Sequence, residues 1–385
     1  MEEFTKNRMT SYAYLLRDMA EVYLPKEQSE EGEYTSRADL LADKKMQKQR
    51  EVFSKIVLNA SGQLMQMTRE KSTDTGLSGK QEKRIRKELL AAGIYVKEYY
   101  RKENRNGYTE MGLLVKARSS TYFEVYDIAE LISEVTHLTM VPEADGPLYV
   151  RDEWVAVCFQ EEVRFRVYGG FAKVTKEGEE TSGDNYLMRE FGDGTYIAAI
   201  ADGMGSGPEA CRDSENLLTL VEKHIESGLS VKSCIHISDE LLYVQHGGER
   251  SVSLDLVELN QYTGECNFYK SGSAPSFWIR GKKLREIAAD RMSLGVDPRL
   301  EGYRETVYLQ DQDVILLASD GVMDLFYDNM EMFESYIAGL IGMSLPDLTA
   351  NVLQMAIRAG GGIIRDDMTI LAVGICEKER LPVAF

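Results

Sequence analysis

Residues 196–207 read YIAAIADGMGSG. An apolar run stops at Asp202, and Gly203, Gly205 and Gly207 follow. A carboxylate at the end of a buried strand, on a turn almost without side chains, has two readings. Backbone N–H groups of a glycine-rich turn ahead of a helix can cradle a phosphate. Alternatively, Asp202 is a metal ligand on a turn that must stay narrow. No Lys-Ser/Thr pair follows and the spacing is not GxGxxG, so the stretch is neither a P-loop nor a dinucleotide fingerprint. One strand ending in Asp-Gly is more often a plain turn, and the choice rests on the rest of the chain.

Similar arrangements occur elsewhere. Asp184 lies in SGDNY, Asp320 and Gly321 in VILLASDGVMD, and Asp366 and Asp367 in IIRDDMTILAV. Each acid adjoins an apolar strand, and strand ends on a rigid scaffold are where functional residues gather. Several unpaired carboxylates in one partly desolvated place repel one another. A divalent cation removes that cost. An oxygen-only donor set suits Mg²⁺ or Mn²⁺. The four histidines and five cysteines show no zinc spacing and no CxxC, which reads as reduced thiols in a cytoplasmic setting.

Around these acids the texture from Trp154 onward is strand after strand: WVAVCFQ, VRFRVYGGFAKVTK, GDNYLMREF, TYIAAIAD, VSLDLVELN, ECNFYKSG, SFWIRG, REIAA, ETVYLQ, DVILLASD and a closing MTILAVGI. Helices are predicted in pairs at 208–227 with 232–245 and at 330–342 with 346–360. Many strands with paired helices predict an α+β fold of two stacked sheets flanked by helices, a four-layer αββα sandwich, over 151–385.

Upstream, the sequence divides into an N-terminal helix near Tyr12–Tyr23 with a linker (1–36) and a small α/β module (37–150). A proline-free apolar periodicity over 37–70 predicts a helix of about 34 residues, about 50 Å long. Its narrow seam, with Val52, Phe53 and Ile56, suits either packing on its own domain or a coiled-coil contact in a homodimer. Residues 80–92 form a second helix closed by Gly93. A hairpin follows, turning at Asn106-Gly107, and then a helix over Phe123–His137.

Charge is uneven. Residues 1–150 hold 23 Lys+Arg against 24 Asp+Glu, and residues 151–385 hold 22 against 39. The acidic balance argues against nucleic-acid binding, which needs a basic face. No apolar run approaches the ~18 residues of a membrane span, and no signal-peptide pattern opens the chain, so no membrane insertion by this chain is expected.

The order GDNY, ADGMGSG, SGSAPSF, SDGVMD, DDMTILAV resembles the PPM (protein phosphatase 2C-like) family of metal-dependent Ser/Thr protein phosphatases, in its stage II sporulation protein E branch. The resemblance covers about 155–376, and more loosely about 80–150, which are similar to a regulatory region. It implies a two-metal site for Mn²⁺ or Mg²⁺. Asp202 would bridge the ions and Gly203 would offer its carbonyl. Asp184 would serve the second ion, and Asp320 with an acid of the DDM pair the first; the family pattern points to Asp366, two before Met368, with Asp367 as its neighbour and the other candidate metal residue. Gly272–Ser276 would shape the floor near the substrate. The resemblance further implies water attack without a phosphoenzyme, on a phosphoserine protein of the anti-anti-sigma factor kind. A catalytically silent module of the same fold is the alternative. The early-strand arginine of many such enzymes has only Arg164 and Arg166 to match it, and the sequence places neither in the site. The branch's multi-span membrane region is absent from this sequence, which reads as a cytosolic part of, or a soluble relative of, a membrane-anchored protein.

Overall fold

The computed structural model of the chain describes residues 14, 16–17, 20, 50–51, 53–58, 60–62, 79–104, 106–118, 121–143, 146–226, 229–272, 274–288, 291–297 and 303–378. The linker 26–36 lies outside them. So does most of the helix expected over 37–70, of which the described residues at 50–51, 53–58 and 60–62 are helical.

Two compact units divide the described chain. One holds residues up to Arg164 from Arg69, with the turn Phe191–Thr195; the other holds Phe165–Glu190 and the residues from Tyr196 on, with those before Thr68. The unit boundary thus falls after Arg164, where the sequence reading set it at 150/151.

In the smaller unit, α1 (Gly79–Ala92) is followed by β1 (Ile94–Glu103) and β2 (Thr109–Ala117). Gly93 and Gly107 take φ of 94° and 79°, which makes the stop after α1 and the hairpin turn cheap for glycine. Then come β3 (Phe123–Glu124), α2 (Val125–Thr136), β4 (Met140–Pro142), β5 (Tyr149–Val150) and β6 (Val155–Glu161). The sheet order is β1-β2-β6-β4, all antiparallel. The WVAVCFQ run, read from sequence as the first strand of the larger domain, is β6 and pairs with β2. Period-two apolar positions decide that a strand is buried on one face, but not which sheet it joins. Ile85 and Leu89 of α1 and Ile128 and Ile132 of α2 close the core over Met111, Leu113, Val157 and Phe159.

The larger unit is the four-layer arrangement. One sheet runs β14-β11-β10-β9-β8 and the other β13-β12-β15-β16-β7. Their strands are β7 (Phe165–Val174), β8 (Asp184–Glu190), β9 (Thr195–Gly203), β10 (Val252–Asn260), β11 (Glu265–Ser271), β12 (Ser276–Arg280), β13 (Lys283–Ile287), β14 (Tyr303–Tyr308), β15 (Val314–Ala318) and β16 (Met368–Glu377). On the first sheet, α3 (Pro208–Glu226) packs along β8, with α4 (Val231–His246) beside it. On the second lie the single turn α5 (Asp320–Met323), α6 (Met330–Leu340) and α7 (Leu345–Ala359). Among the described residues no helix is long and apolar enough to cross a membrane.

Alternation along the strands builds two layers of contact. Ala198, Ile200, Val257, Leu259, Cys266 and Phe268 meet Ile315, Leu317, Leu371, Val373 and Ile375 between the sheets. The intervening residues Leu316, Ala318, Ile370 and Ala372 face α6 and α7. Strand β16 is therefore buried on both faces, which is why MTILAVGI reads as a continuous apolar run.

Candidate metal centre

Following the inward-facing row of each strand to one end of the sandwich leads to the acids. Ala198 and Ile200 lead to Asp202; Tyr186 and Met188 lead back to Asp184; Leu371 leads through Thr369 to Asp367; Leu317 leads to Ser319, beside Asp320. Asp184 and Asp202 are direct cross-strand partners on β8 and β9. Like charges directly opposite on a sheet are destabilising, so this register needs an external reason.

Burial sharpens the conflict. Asp184 is 1% exposed, and neither of its carboxylate oxygens has a hydrogen-bond partner at normal geometry. Burial first, and the neighbouring Asp367 and Asp320 charges, raise its pKa, against a lowering pull from the Thr369 and Ser319 hydroxyls. Asp202 is raised more strongly, by burial and then by Asp184, Asp320 and Asp366. Asp320 is raised by burial and by Asp366, with the N–H groups of Gly321 and of Asp320 itself working the other way. The fold thus brings Asp202 within electrostatic range of Asp184, Asp320 and Asp366. Among the described residues no three acidic, histidine or cysteine side chains yet stand around one point at ligating distance. The acids form a desolvated neighbourhood rather than a closed shell.

The two acids of DDM take different places. Asp367 is buried; its Oδ1 accepts from the Lys176 N–H at 2.9 Å and its Oδ2 from the Gly183 N–H at 2.7 Å. It ties the end of β7 and the loop before β8 to β16. Asp366 is exposed, and its Oδ1 accepts from the Asp367 N–H at 3.0 Å. A carboxylate holding two backbone N–H groups is structural cement, whereas Asp366 keeps an oxygen for other work.

The glycines also divide. The sequence suggests that a side chain at Gly203 or Gly205 would crowd bound ions or phosphate. A Cβ on Gly203 would instead lie 2.2 Å from the carbonyl oxygen of Ala210 in the first turn of α3. The residue is glycine because helix and strand end approach so closely. Gly205 takes φ 94° with open space around it, so conformation rather than crowding selects glycine there. Gly321 has its own close approach, 2.1 Å from a Cβ to the Asp367 carbonyl oxygen.

Two residues at this end escaped sequence reasoning. Asp255 and Lys270 are cross-strand partners on β10 and β11, both buried and joined at 2.6 Å. Their signal was an acid inside VSLDLVELN and a lysine inside NFYKSG, each on the apolar row of its strand. Ser276, from the expected Gly272–Ser276 floor, accepts from Lys270 Nζ at 2.6 Å. Arg166 stands opposite Cys376, whereas the acid end of that strand pair is Val174 opposite Met368. Arg166 is thus about 26 Å along β7 from the acids, at ~3.3 Å per residue.

Comparisons with known proteins agree with this architecture. Residues 192–375 match the family described as Stage II sporulation protein E (SpoIIE). Stage II sporulation protein E of Bacillus subtilis (strain 168) is 28% identical over 343 residues, 88% of this chain and 41% of that protein. The protein of the same name from Priestia megaterium is 31% identical over 205 residues, 52% of this chain and 35% of that one. The chain therefore spans well under half the length of these curated relatives. A solved structure of the PP2C phosphatase domain and a fragment of the regulatory domain of the cell fate determinant SpoIIE from Bacillus subtilis superposes with a TM-score of 0.61. It is 26% identical, and the match covers 87% of this chain and 98% of that one. With the family match over 192–375 and the shared two-sheet fold, the larger unit of this chain is similar to the PP2C phosphatase domain of stage II sporulation protein E.

Proposed function

We propose that the chain is a metal-dependent protein phosphatase that hydrolyses phosphoserine on a protein substrate, and that Asp184, Asp202, Asp320 and Asp366 form its site. The observation that carries this reading is the orphaned, 1% exposed carboxylate of Asp184 facing Asp202 across a strand pair. Carboxylates so desolvated and so close are tolerable when protonated or when cations sit among them. The donor set is all oxygen, which fits Mn²⁺ or Mg²⁺. Asp202 would hold both of two ions, with the Gly203 carbonyl, Asp184, Asp320 and Asp366 completing the protein's share. Asp367, engaged by two backbone N–H groups, is assigned a supporting role.

Bound ions would supply Lewis acidity for a water nucleophile and for the phosphoryl oxygens. The protein's own contribution is geometric. Sheet ends fix the acids, Asp367 locks the β16 end to the loop carrying Gly183, and the close packing of Gly203 on Ala210 sets the turn after Asp202. No covalent protein nucleophile is called for. The substrate class is taken to be a phosphorylated anti-anti-sigma factor, and the helical residues at 50–51, 53–58 and 60–62 to be part of a homodimer contact.

Phosphate release from a phosphoserine protein by the purified chain, with and without Mn²⁺, tests this. Release that requires Mn²⁺, stops on chelation and vanishes in Asp202→Asn supports the reading. Metal-independent behaviour identical in wild type and Asp202→Asn would sink it in favour of a silent interaction module. Charged substitution of Phe53 or Ile56 that leaves both oligomeric state and activity unchanged would remove the dimer.

A further inference from the structure

Resting on the phosphatase reading above, a second element of the site can be assigned. Between the sheets, beside Asp320, lies a cavity of about 80 Å³ lined by Asp255, Lys270, Ser271, Gly272, Ser319 and Asp320, among others. That is room for two or three waters at ~30 Å³ each. Its lining is mostly small and polar, in a gap that is otherwise apolar.

Lys270 is the charged wall of this cavity. It is 2% exposed, and its Nζ donates at 2.6 Å to Asp255 Oδ2 and at 2.6 Å to Ser276 Oγ. The Ser276 hydroxyl is also hydrogen-bonded to Asp255. An ammonium carries three donors, so two are spent on aiming the group and one remains. A buried ion pair adds little stability over an apolar pair of similar volume. What Lys270 supplies beyond packing is a fixed positive charge at the acid end of the gap. Asp255 and Ser276 hold it at one point, as a site that recognises a specific anion requires.

A phosphate monoester carries close to two negative charges at neutral pH and would meet four carboxylates here. Besides any ions, it needs a protein cation. Arg166 is at the far end of β7, and Lys173, which donates to the Asp184 carbonyl oxygen at 2.5 Å, does not line this cavity. We propose that Lys270 is the phosphate-positioning residue of this domain. Its remaining N–H binds an oxygen of the substrate's phosphoryl group in the cavity beside Asp320, with Asp255 and Ser276 as the struts that orient it.

The test uses the full chain loaded with Mn²⁺. Removing Lys270 alone would leave Asp255 buried and unpaired, so paired variants are the instrument. Lys270→Gln/Asp255→Asn keeps the hydrogen bonds without the charges, and Lys270→Met/Asp255→Leu replaces the pair by apolar groups; either suffices if it melts cooperatively. Inorganic phosphate is the probe, read as binding by calorimetry and as competitive inhibition of release from a phosphoserine protein. The expected result is a roughly tenfold weaker phosphate affinity and a matching rise in KM, with a smaller change in kcat. The Mn²⁺ concentration for half-activation stays at the wild-type value. A merely structural pair would lower the melting temperature or the Mn²⁺ response and leave phosphate affinity unchanged, and that result overturns the assignment. So does a Mn²⁺-loaded wild type that binds no phosphate. A wild type that binds phosphate but releases none from phosphoproteins sinks the phosphatase reading instead, and the binding comparison still decides Lys270.

Discussion

Leu259, Cys266 and Phe268 fill one end of the gap between the two sheets; Asp255 and Lys270, on the same strands and facing the same way, fill the other. The contrast repeats on β9, where Ala198 and Ile200 lead to Asp202, and on β16, where Val373 and Leu371 lead to Thr369 and Asp367. Backbone register and alternation are identical at both ends. Only side-chain chemistry changes, and with it the use of the space. The dry end supplies stability through burial. The charged end draws on that stability to keep groups together that would otherwise separate. The candidate site is a stretch of core in which the apolar rows are interrupted over one or two residues per strand.

If that comparison is right, the largest effects belong to chemistry at the charged end. Asp202→Asn is expected to lower Mn²⁺-dependent phosphate release by about 10³-fold, the scale seen when a single key electrostatic group is removed. In metal-free buffer the same variant should melt at the same temperature as wild type or higher, because a repelling charge has gone. A lower melting temperature there would mean that Asp202 is structural and would break the comparison.

At the dry end the sign reverses. Phe268→Ala should cost about 3–5 kcal/mol in chemical denaturation, while the Mn²⁺ requirement of the remaining folded protein stays put. Next in size, the two neighbouring acids should separate. Asp367→Ala strands the N–H groups of Lys176 and Gly183 and should cost about 1–3 kcal/mol. Asp366→Asn should leave the melting curve in place and raise the Mn²⁺ needed for half-activation. The reverse pattern would exchange their roles.

The smallest expected effect is on pH. Asp184, Asp202 and Asp320 all have folded pKa values raised above the ordinary carboxylate value. These three groups then hold more protons in the folded, metal-free protein than in the unfolded chain, so their contribution to stability is greatest below the unfolded pKa, near 4. It declines as pH rises through the raised values. Added Mn²⁺ should flatten that slope, since cations take the place of the protons. Melting curves at pH 5 and pH 8, with and without Mn²⁺, check both the slope and its loss.

Much of this was legible in the chain. The paired helices, the hairpin at Asn106-Gly107 and the strands ending at Asp202 and Asp320 follow from apolar periodicity and from glycine at turns. The expectation that Asp184, Asp202, Asp320 and Asp366 share one end of the sandwich came from each sitting near a strand end beside a glycine or a turn. The ownership of β6 was not, since VAVCFQE has the same alternation whichever sheet it joins. The different work of Asp366 and Asp367 was not readable either, because adjacent residues of one type differ only in the direction each faces. Gly203 was legible as a constrained position but not for its reason, which is the carbonyl of Ala210, seven residues on.

The sequence by itself determined the elements of the larger unit and its two-sheet class, because those depend on local periodicity and on residue type. Only the tertiary structure decided which of the buried polar groups share a space. Asp255 and Lys270 look like interruptions in two separate apolar strands until the β10–β11 register sets them opposite each other. The packing of one sheet on the other then closes a cavity over them. Cross-strand register and sheet stacking are long-range choices, made by the summed burial of whole faces, and no short stretch of chain contains them.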